Sequence, residues 1–233
     1  LGVAQEGPAP GNDRAAADEA ALERRDASFE PLVAALARKL KRALQDEQNA
    51  VLDRLRSSSA GEGGALEPAA DEEARYRAVA HESLLEAWAA GRGPARGRTA
   101  QRDRGREAAD TAAAALSAEL SGALRRRIEP ALEEDSPERA AEVIGAAFRE
   151  WKGARLEMLA GDHLMAVFAA AALASAPAGS AVRWVVDDEG GPCPDCDDNS
   201  LAGAVRAGEP FPTGQIHPPA HAGCRCLLEP TST

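Results

Sequence analysis

Residues 29–55 read FEPLVAALARKLKRALQDEQNAVLDRL. Phe29, Val33, Leu36, Leu40, Leu44, Val51 and Leu55 recur at steps of three, four and seven, with Lys, Arg, Asp and Glu between them. Apolar positions at that spacing fall on one side of a 3.6-residue period, so the stretch predicts an amphipathic helix with a single apolar stripe. The same pattern extends outward to residues 15–56. Pro31 lies inside it, and a proline removes a backbone donor and crowds the preceding turn, so a boundary or kink is expected near Phe29. A stripe of this kind is expected to pack against another helix or a larger body rather than to hold a cofactor.

Outward from that helix, residues 1–14 (LGVAQEGPAPGNDR) are rich in Gly, Pro and polar residues and read as a linker. SSSAGEGGALEP (57–68) breaks the pattern, and a second helix is expected over 69–90, with Tyr76, Val79, Leu84, Leu85 and Trp88 on its apolar side. GRGPARGR (91–98) reads as a basic loop. A third helix is expected over 107–128, where Arg125, Arg126 and Arg127 suit the negative end of the helix dipole. Pro130 and Pro137 bracket the next break. Ser136 before Pro137 is a start signal, an N-cap residue followed by proline at the first helical position. The helix it opens is expected to reach Ser175 with an interruption near Gly153 or Gly161. AVRWVVDD (181–188), β-branched and aromatic, is the best strand candidate. The fold class is therefore mainly α: long N-terminal helices, then a helical segment, then a small α+β Cys-rich module resembling a zinc ribbon. Its expected divisions are a linker at 1–14, an extended helical arm at 15–135 and a domain at 136–233, with the Cys-rich module at 181–233.

Five of the eight aromatic residues (Phe148, Trp151, Phe168, Trp184 and Phe211) follow residue 147. Large apolar side chains contribute most to burial, roughly 25 cal/mol per Å² removed from water, so the densest packing is expected in the C-terminal third. The net charge of -11 disfavours nucleic acid or anionic membranes as partners of the chain as a whole. Between Gly91 and Arg106, however, six arginines (Arg92, Arg96, Arg98, Arg102, Arg104 and Arg106) face one acid, Asp103. These six are the candidate nucleic-acid contacts; the competing reading is a solvated hinge, and the segment carries no aromatic residue for base stacking. The longest apolar run, 166–176, is shorter than the ~20 residues that span a bilayer, and no secretory pattern opens the chain, so no membrane is expected. The absence of an initiator Met is expected to reflect a processed, truncated or fused product.

All four cysteines lie within residues 193–226: Cys193 and Cys196 as C-x-x-C, Cys224 and Cys226 as C-x-C, with His217 and His221 just before the second pair. Zinc favours four tetrahedral thiolate or imidazole ligands, and a C-x-x-C turn presents two thiolates to one metal. Pro192 and Pro194 stiffen the first turn; Pro218, Pro219 and Gly223 shape the second loop. The candidate metal ligands are Cys193, Cys196, Cys224 and Cys226, with His221 as the substitute for one of them, and the implied cofactor is structural zinc. Two disulfides or free thiols are the alternative.

Pro192-Cys193-Pro194-Asp195-Cys196 also matches the P-C-x-x-C half of the zinc deaminase signature, but that chemistry needs an upstream H-x-E. His81 is followed directly by Glu82, and His163 stands in HLM. No H-E-x-x-H, phosphate-cradling Gly-x-x-x-x-Gly-Lys or G-x-S-x-G is present. No catalytic residue is assigned, and no enzyme is expected.

The run WVVDDEGGPCPDCDDNSLAG followed by GEPFPTGQIHPPAHAGCRCLLEP resembles the C-terminal domain of phage Mu protein F-like head-morphogenesis proteins. The residues carrying the resemblance are Trp184, Asp187, Cys193, Cys196, Gly203, Pro218, Pro219, His221, Cys224, Arg225 and Cys226. Ala222 stands where that family often has proline. The resemblance covers roughly the last 95 residues, and the helices at 136–175 suit the helical part of that domain less specifically. It implies a structural minor head protein of a tailed phage, associated with the portal protein and acting in head assembly, DNA packaging or delivery. Implied with it are several copies around the portal, contacts with other head proteins and packaged DNA, and a location in the virion after assembly in the host cytoplasm. Some relatives are fused to a portal protein and others carry a toxin domain after the cysteines; with seven residues after Cys226, no toxin domain is expected here. A zinc-ribbon nucleic-acid binder is the alternative. The balance of eight acids to three arginines after residue 180 counts against the Cys-rich module as the DNA reader. Trp88 and Trp151 are expected to be packing residues, and His163 an interior residue with a satisfied ring.

Overall fold

In the computed structural model of the chain, residues 10–57, 64–92, 100–134, 136–177, 179–189, 191 and 193–231 are described, the side chains of 10–12, 100 and 101 excepted. Among the described residues six helices and three strands follow in order: α1 (Pro10–Ser57), α2 (Ala69–Gly91), α3 (Ala100–Leu132), α4 (Pro137–Trp151), α5 (Ala154–Ser175), β1 (Ala181–Val185), α6 (Pro194–Leu201), β2 (Ala204–Arg206) and β3 (Leu227–Pro230).

The stripe on α1 is buried as its spacing requires: Phe29, Leu36, Leu40, Leu44 and Val51 are each at most 2 % exposed. The helix runs unbroken through Pro31. The carbonyl that loses its donor there belongs to Ala27, which is exposed, so water can take the bond. α1 also begins at Pro10, inside the expected linker; of that linker, residues 1–9 lie outside the described residues. α3 starts at Ala100 and ends at Leu132 with Pro130 in its last turn, so it is longer at both ends than expected. Ser136 caps α4 by accepting from the Arg139 N–H at 3.3 Å, with Pro137 in the first turn. The interruption falls at Lys152–Gly153, and α5 passes through Gly161 without a break.

The expected extended arm is part of a bundle. One apolar cluster runs from Phe29 on α1 through Tyr76 and Leu84 on α2, Leu116 and Leu120 on α3 and Phe148 on α4 to Leu164 and Phe168 on α5, so no separate core begins at residue 136. α5 packs against α1, α2 and α3. All eight aromatic side chains are at most 9 % exposed, and Phe29 meets Phe168 edge-on at 5.8 Å. The packing is thus as dense around α1 and α2 as in the C-terminal third. Alanine explains it: Ala80, Ala87, Ala109 and Ala113 are fully buried, and small side chains let the helix backbones approach. Trp88 and Trp151 are packing residues. α5 is long and apolar enough to match a membrane span by length and hydropathy, more so than its sequence was read to be; half of that stretch is buried in the bundle.

A polar network crosses the bundle. Glu47 of α1 and Glu72 and Tyr76 of α2 are at most 6 % exposed. Tyr76 donates to Glu47, Arg75 lies 3.5 Å from Glu47, and Arg125 of α3 donates to Glu72 at 2.7 Å. Burial, then the Glu72 charge, push the Glu47 carboxyl from 4.5 up to about 7, against the opposing pull of the Tyr76 hydrogen bond and Arg75. Between those values the folded chain holds a proton that the unfolded chain has released. Stability therefore falls as pH rises from about 4.5 to about 7 and stays lower above, by up to about 3 kcal/mol. Glu47→Gln keeps an acceptor for Tyr76 without the charge. Denaturant titrations from pH 4.5 to 8 should show the decline flattened in this variant; an unchanged slope would rule Glu47 out as its source.

The C-terminal module is a three-stranded antiparallel sheet, order β2-β1-β3, with α6 against β1. Only β1 was expected; β2 and β3 are three and four residues long, too short for a periodic signal. Alternation along β1 gives each face a task. Val182 and Trp184 enter a core with Phe211, Leu228 and three cysteines, while Val185 packs with Leu227 on Ala21 of α1. Arg183, on the same side as Val185, pairs with Asp18 of α1.

Candidate metal centre

Two segments bring the cysteines together. Cys193 is the N-cap residue of α6, Pro194 starts the helix and Cys196 lies in its first turn, so the C-x-x-C pair sits on a helix start rather than in a free knuckle. Residues three apart on a helix lie on one side, which turns both thiols to the same point. Pro192, expected to stiffen this turn, lies outside the described residues. Cys224 and Cys226 arrive on the loop entering β3, where Gly223, at a φ of +77°, adopts the left-handed backbone that glycine tolerates.

All four cysteines are free thiols. Cys193, Cys196 and His221 form one group of donors, and Cys196, Cys224 and Cys226 a second, each within 4.8 Å, with Cys196 common to both. Cys196 Sγ lies 3.7 Å from Cys224 Sγ and 3.5 Å from His221 Nε2. With zinc–sulfur bonds near 2.3 Å and zinc–nitrogen bonds near 2.05 Å, tetrahedral edges are about 3.8 Å between two sulfurs and about 3.5 Å between sulfur and nitrogen. Both measured edges match. His221 Nδ1 is 2.8 Å from the Ala222 carbonyl. A carbonyl only accepts, so Nδ1 carries the proton and Nε2 keeps its lone pair toward the sulfurs. His217 turns away: its Nδ1 donates to the Pro218 carbonyl at 2.6 Å, and it joins neither group.

The cluster is electrostatically prepared for a cation. A hydrogen bond from Cys226 holds the Cys224 thiol down at about 5 against burial, helped by the backbone N–H groups of Ala220 and Cys226. Donating that bond pushes Cys226 up, and burial followed by the Cys224 charge pushes Cys196 up to about 12. One thiolate therefore forms readily, and further thiolates need a positive charge among them. These residues can hold a metal ion.

Surrounding groups fix the site. Arg25 of α1, 4 % exposed, donates to the Arg225 carbonyl and to Asp187 Oδ2 at 2.7 Å. Asp187 Oδ1 accepts from the Glu189 N–H at 3.0 Å, and the Asp187 N–H donates to the Cys226 sulfur. Asp162 of α5 accepts the Gly223 N–H at 2.8 Å. A side chain at Gly161 would meet the Arg225 guanidinium at 2.6 Å, so glycine makes room for the arginine that separates the two cysteines. Arg225 also lies 5.3 Å from the centre of the Phe29 ring. Buried Asn199 of α6 accepts the Thr213 N–H and hydroxyl at 3.1 and 2.9 Å, tying the intervening loop. Arg25, Asp162 and Asn199 were missed in the sequence; each is an isolated polar residue whose partner is far along the chain.

The basic segment is only partly a loop. Arg96 and Arg98 lie outside the described residues, Arg92 follows the end of α2, and Arg102, Arg104 and Arg106 are exposed on the first turns of α3. His163, expected inside, is half-buried, 3.4 Å from Glu119. No protein-family model, curated protein or solved structure matches the chain.

Proposed function

We propose that the chain is a structural minor head protein of a tailed phage, associated with the portal during head assembly, DNA packaging or delivery. The observation carrying this reading is that the donors of the composite motif come together in two groups sharing Cys196, Cys193–Cys196–His221 and Cys196–Cys224–Cys226, while its Asp187 is held by Arg25 of the helical bundle. Such a convergence serves a module that must hold its shape rather than turn over a substrate. Zinc is the proposed ion, on Cys193, Cys196, Cys224 and either Cys226 or His221, in a zinc-ribbon-like module; bound there it would cross-link the start of α6 to the C-terminal loop. The proposed place is the capsid interior beside the portal, in several copies.

Co-expression with the portal protein of the same phage tests this. The chain should sediment with portal rings and be found in mature particles; a chain that neither binds rings nor enters particles would sink the reading. The exposure of Arg102, Arg104 and Arg106 supports a second reading, a nucleic-acid binder. It requires salt-sensitive DNA affinity that collapses when the basic segment is neutralised.

A further inference from the structure

Of the four thiols, three are sealed in the core of the module: Cys196, Cys224 and Cys226 are at most 2 % exposed. Cys193 is only half-buried, beside exposed Pro194 and Asp195. Its position relative to Cys196 is set by the helix start. The Cys193 carbonyl accepts the Asp197 N–H at 3.0 Å, the first bond of α6, so the two residues between the cysteines are already helical. Three helical steps place the two Cα atoms about 5 Å apart. A disulfide needs Cα atoms at about 4.4–6.8 Å. The two sulfurs already lie within 4.8 Å of each other. Rotation of the side chains is enough to join them.

Joining them removes Cys196 from both donor groups at once and leaves Cys224, Cys226 and His221. That is one donor short of the four that structural zinc takes. We infer that Cys193 and Cys196 are a reversible dithiol that small disulfides oxidise, with release of the metal; the release rests on the proposed metal site, the dithiol does not. Thiol–disulfide exchange needs a thiolate that the oxidant can reach, and of the four cysteines Cys193 is the reachable one. The Cys193 thiolate attacks one sulfur of the oxidant, forms a mixed disulfide and expels the first thiolate. Cys196 then attacks the Cys193 sulfur and expels the second. Each leaving thiolate takes up the proton lost by the attacking cysteine. Two protein thiols are thereby oxidised to one disulfide, and the oxidant is reduced to two thiols. Exposed Asp195 and Asp197 beside the pair favour an oxidant that carries positive charge.

The probe is cystamine, a small disulfide with two ammonium groups, added to the full chain purified under reducing conditions and then freed of reductant. A colorimetric chelator reads released zinc, and peptide mass mapping locates the disulfide. Wild type should lose two thiols and its zinc together, with Cys193 joined to Cys196, and should recover both after a phosphine reductant and fresh zinc. Cys193→Ser keeps Cys196, Cys224, Cys226 and His221 as donors, and its remaining thiols are buried. It should release zinc at least about tenfold more slowly under the same oxidant. If the variant holds no zinc, the wild-type map alone decides. A wild type that keeps its zinc and all four thiols, a disulfide mapped to Cys196–Cys224 or Cys224–Cys226, or a Cys193→Ser chain stripped as quickly as wild type would each overturn the inference. A chain without zinc that still joins Cys193 to Cys196 would sink the metal site and leave the dithiol standing.

Discussion

Cys196→Ser is expected to strip the chain of its metal and to abolish cooperative unfolding of the C-terminal module, while leaving the helical bundle folded. Cys196 is the vertex shared by both donor groups and is 1 % exposed, so its loss takes a ligand from both groups at once. A serine hydroxyl does not ionise as a thiol does and is a poor zinc ligand. Structural zinc contributes on the order of 10–16 kcal/mol of apparent binding free energy at neutral pH, which in a module this small exceeds any other single term. The bundle is spared because none of the four cysteines belongs to its core. Cys226→Ser should behave differently: His221 already stands 3.5 Å from Cys196 and can complete the set, so metal should persist with affinity reduced about 10–100-fold. Zinc content per chain, with thiol titration before and after chelation, reads both variants. A Cys196→Ser chain that retains one zinc would overturn Cys196 as the shared ligand, and a wild type with none would remove the metal from this account.

The contrast between these two variants shows where sequence spacing stops being informative. The donors themselves were legible, because C-x-x-C and C-x-C bring their own geometry within a few residues. The helix start beneath Cys193 was legible too, though it was read as a turn: Pro194 at a first helical position followed by acids is a capping pattern. That Cys196 rather than Cys193 is the shared vertex depends on how the loop entering β3 folds over α6, and no local pattern encodes it. The same division holds in the bundle. Apolar steps on α1 exposed its buried side, but the alanines of α2 and α3 gave weak periodicity, so a packed bundle was read as an extended arm. Pro31 signals a break only if the carbonyl it orphans is buried, and burial is a tertiary fact.

Arg25 is the clearest case of a residue that only the tertiary structure reveals, and its loss should be the second large effect. It sits on α1, 162 positions from Asp187 and 200 from Arg225, and holds both. The Arg25 and Asp187 side chains are 3 % and 4 % exposed. Arg25→Met keeps much of the volume but leaves the Asp187 carboxylate buried without its cation and the Arg225 carbonyl without its donor. Breaking a buried pair from one side typically costs about 3–5 kcal/mol, because the remaining charge is neither hydrated nor matched. Replacing both partners, as in Arg25→Met/Asp187→Leu, should recover most of that loss, since two apolar groups impose no such charge penalty. Denaturant unfolding of the two variants measures the difference directly. The effect should also reach the metal centre: Arg225 lies between Cys224 and Cys226, and the Asp187 N–H donates to the Cys226 sulfur. Arg25→Met should therefore release zinc to a chelator faster than wild type although Arg25 contributes no ligand. If it unfolds within about 0.5 kcal/mol of wild type, in the range of an ordinary surface substitution, then α1 does not secure the module and the bundle and metal centre are energetically independent.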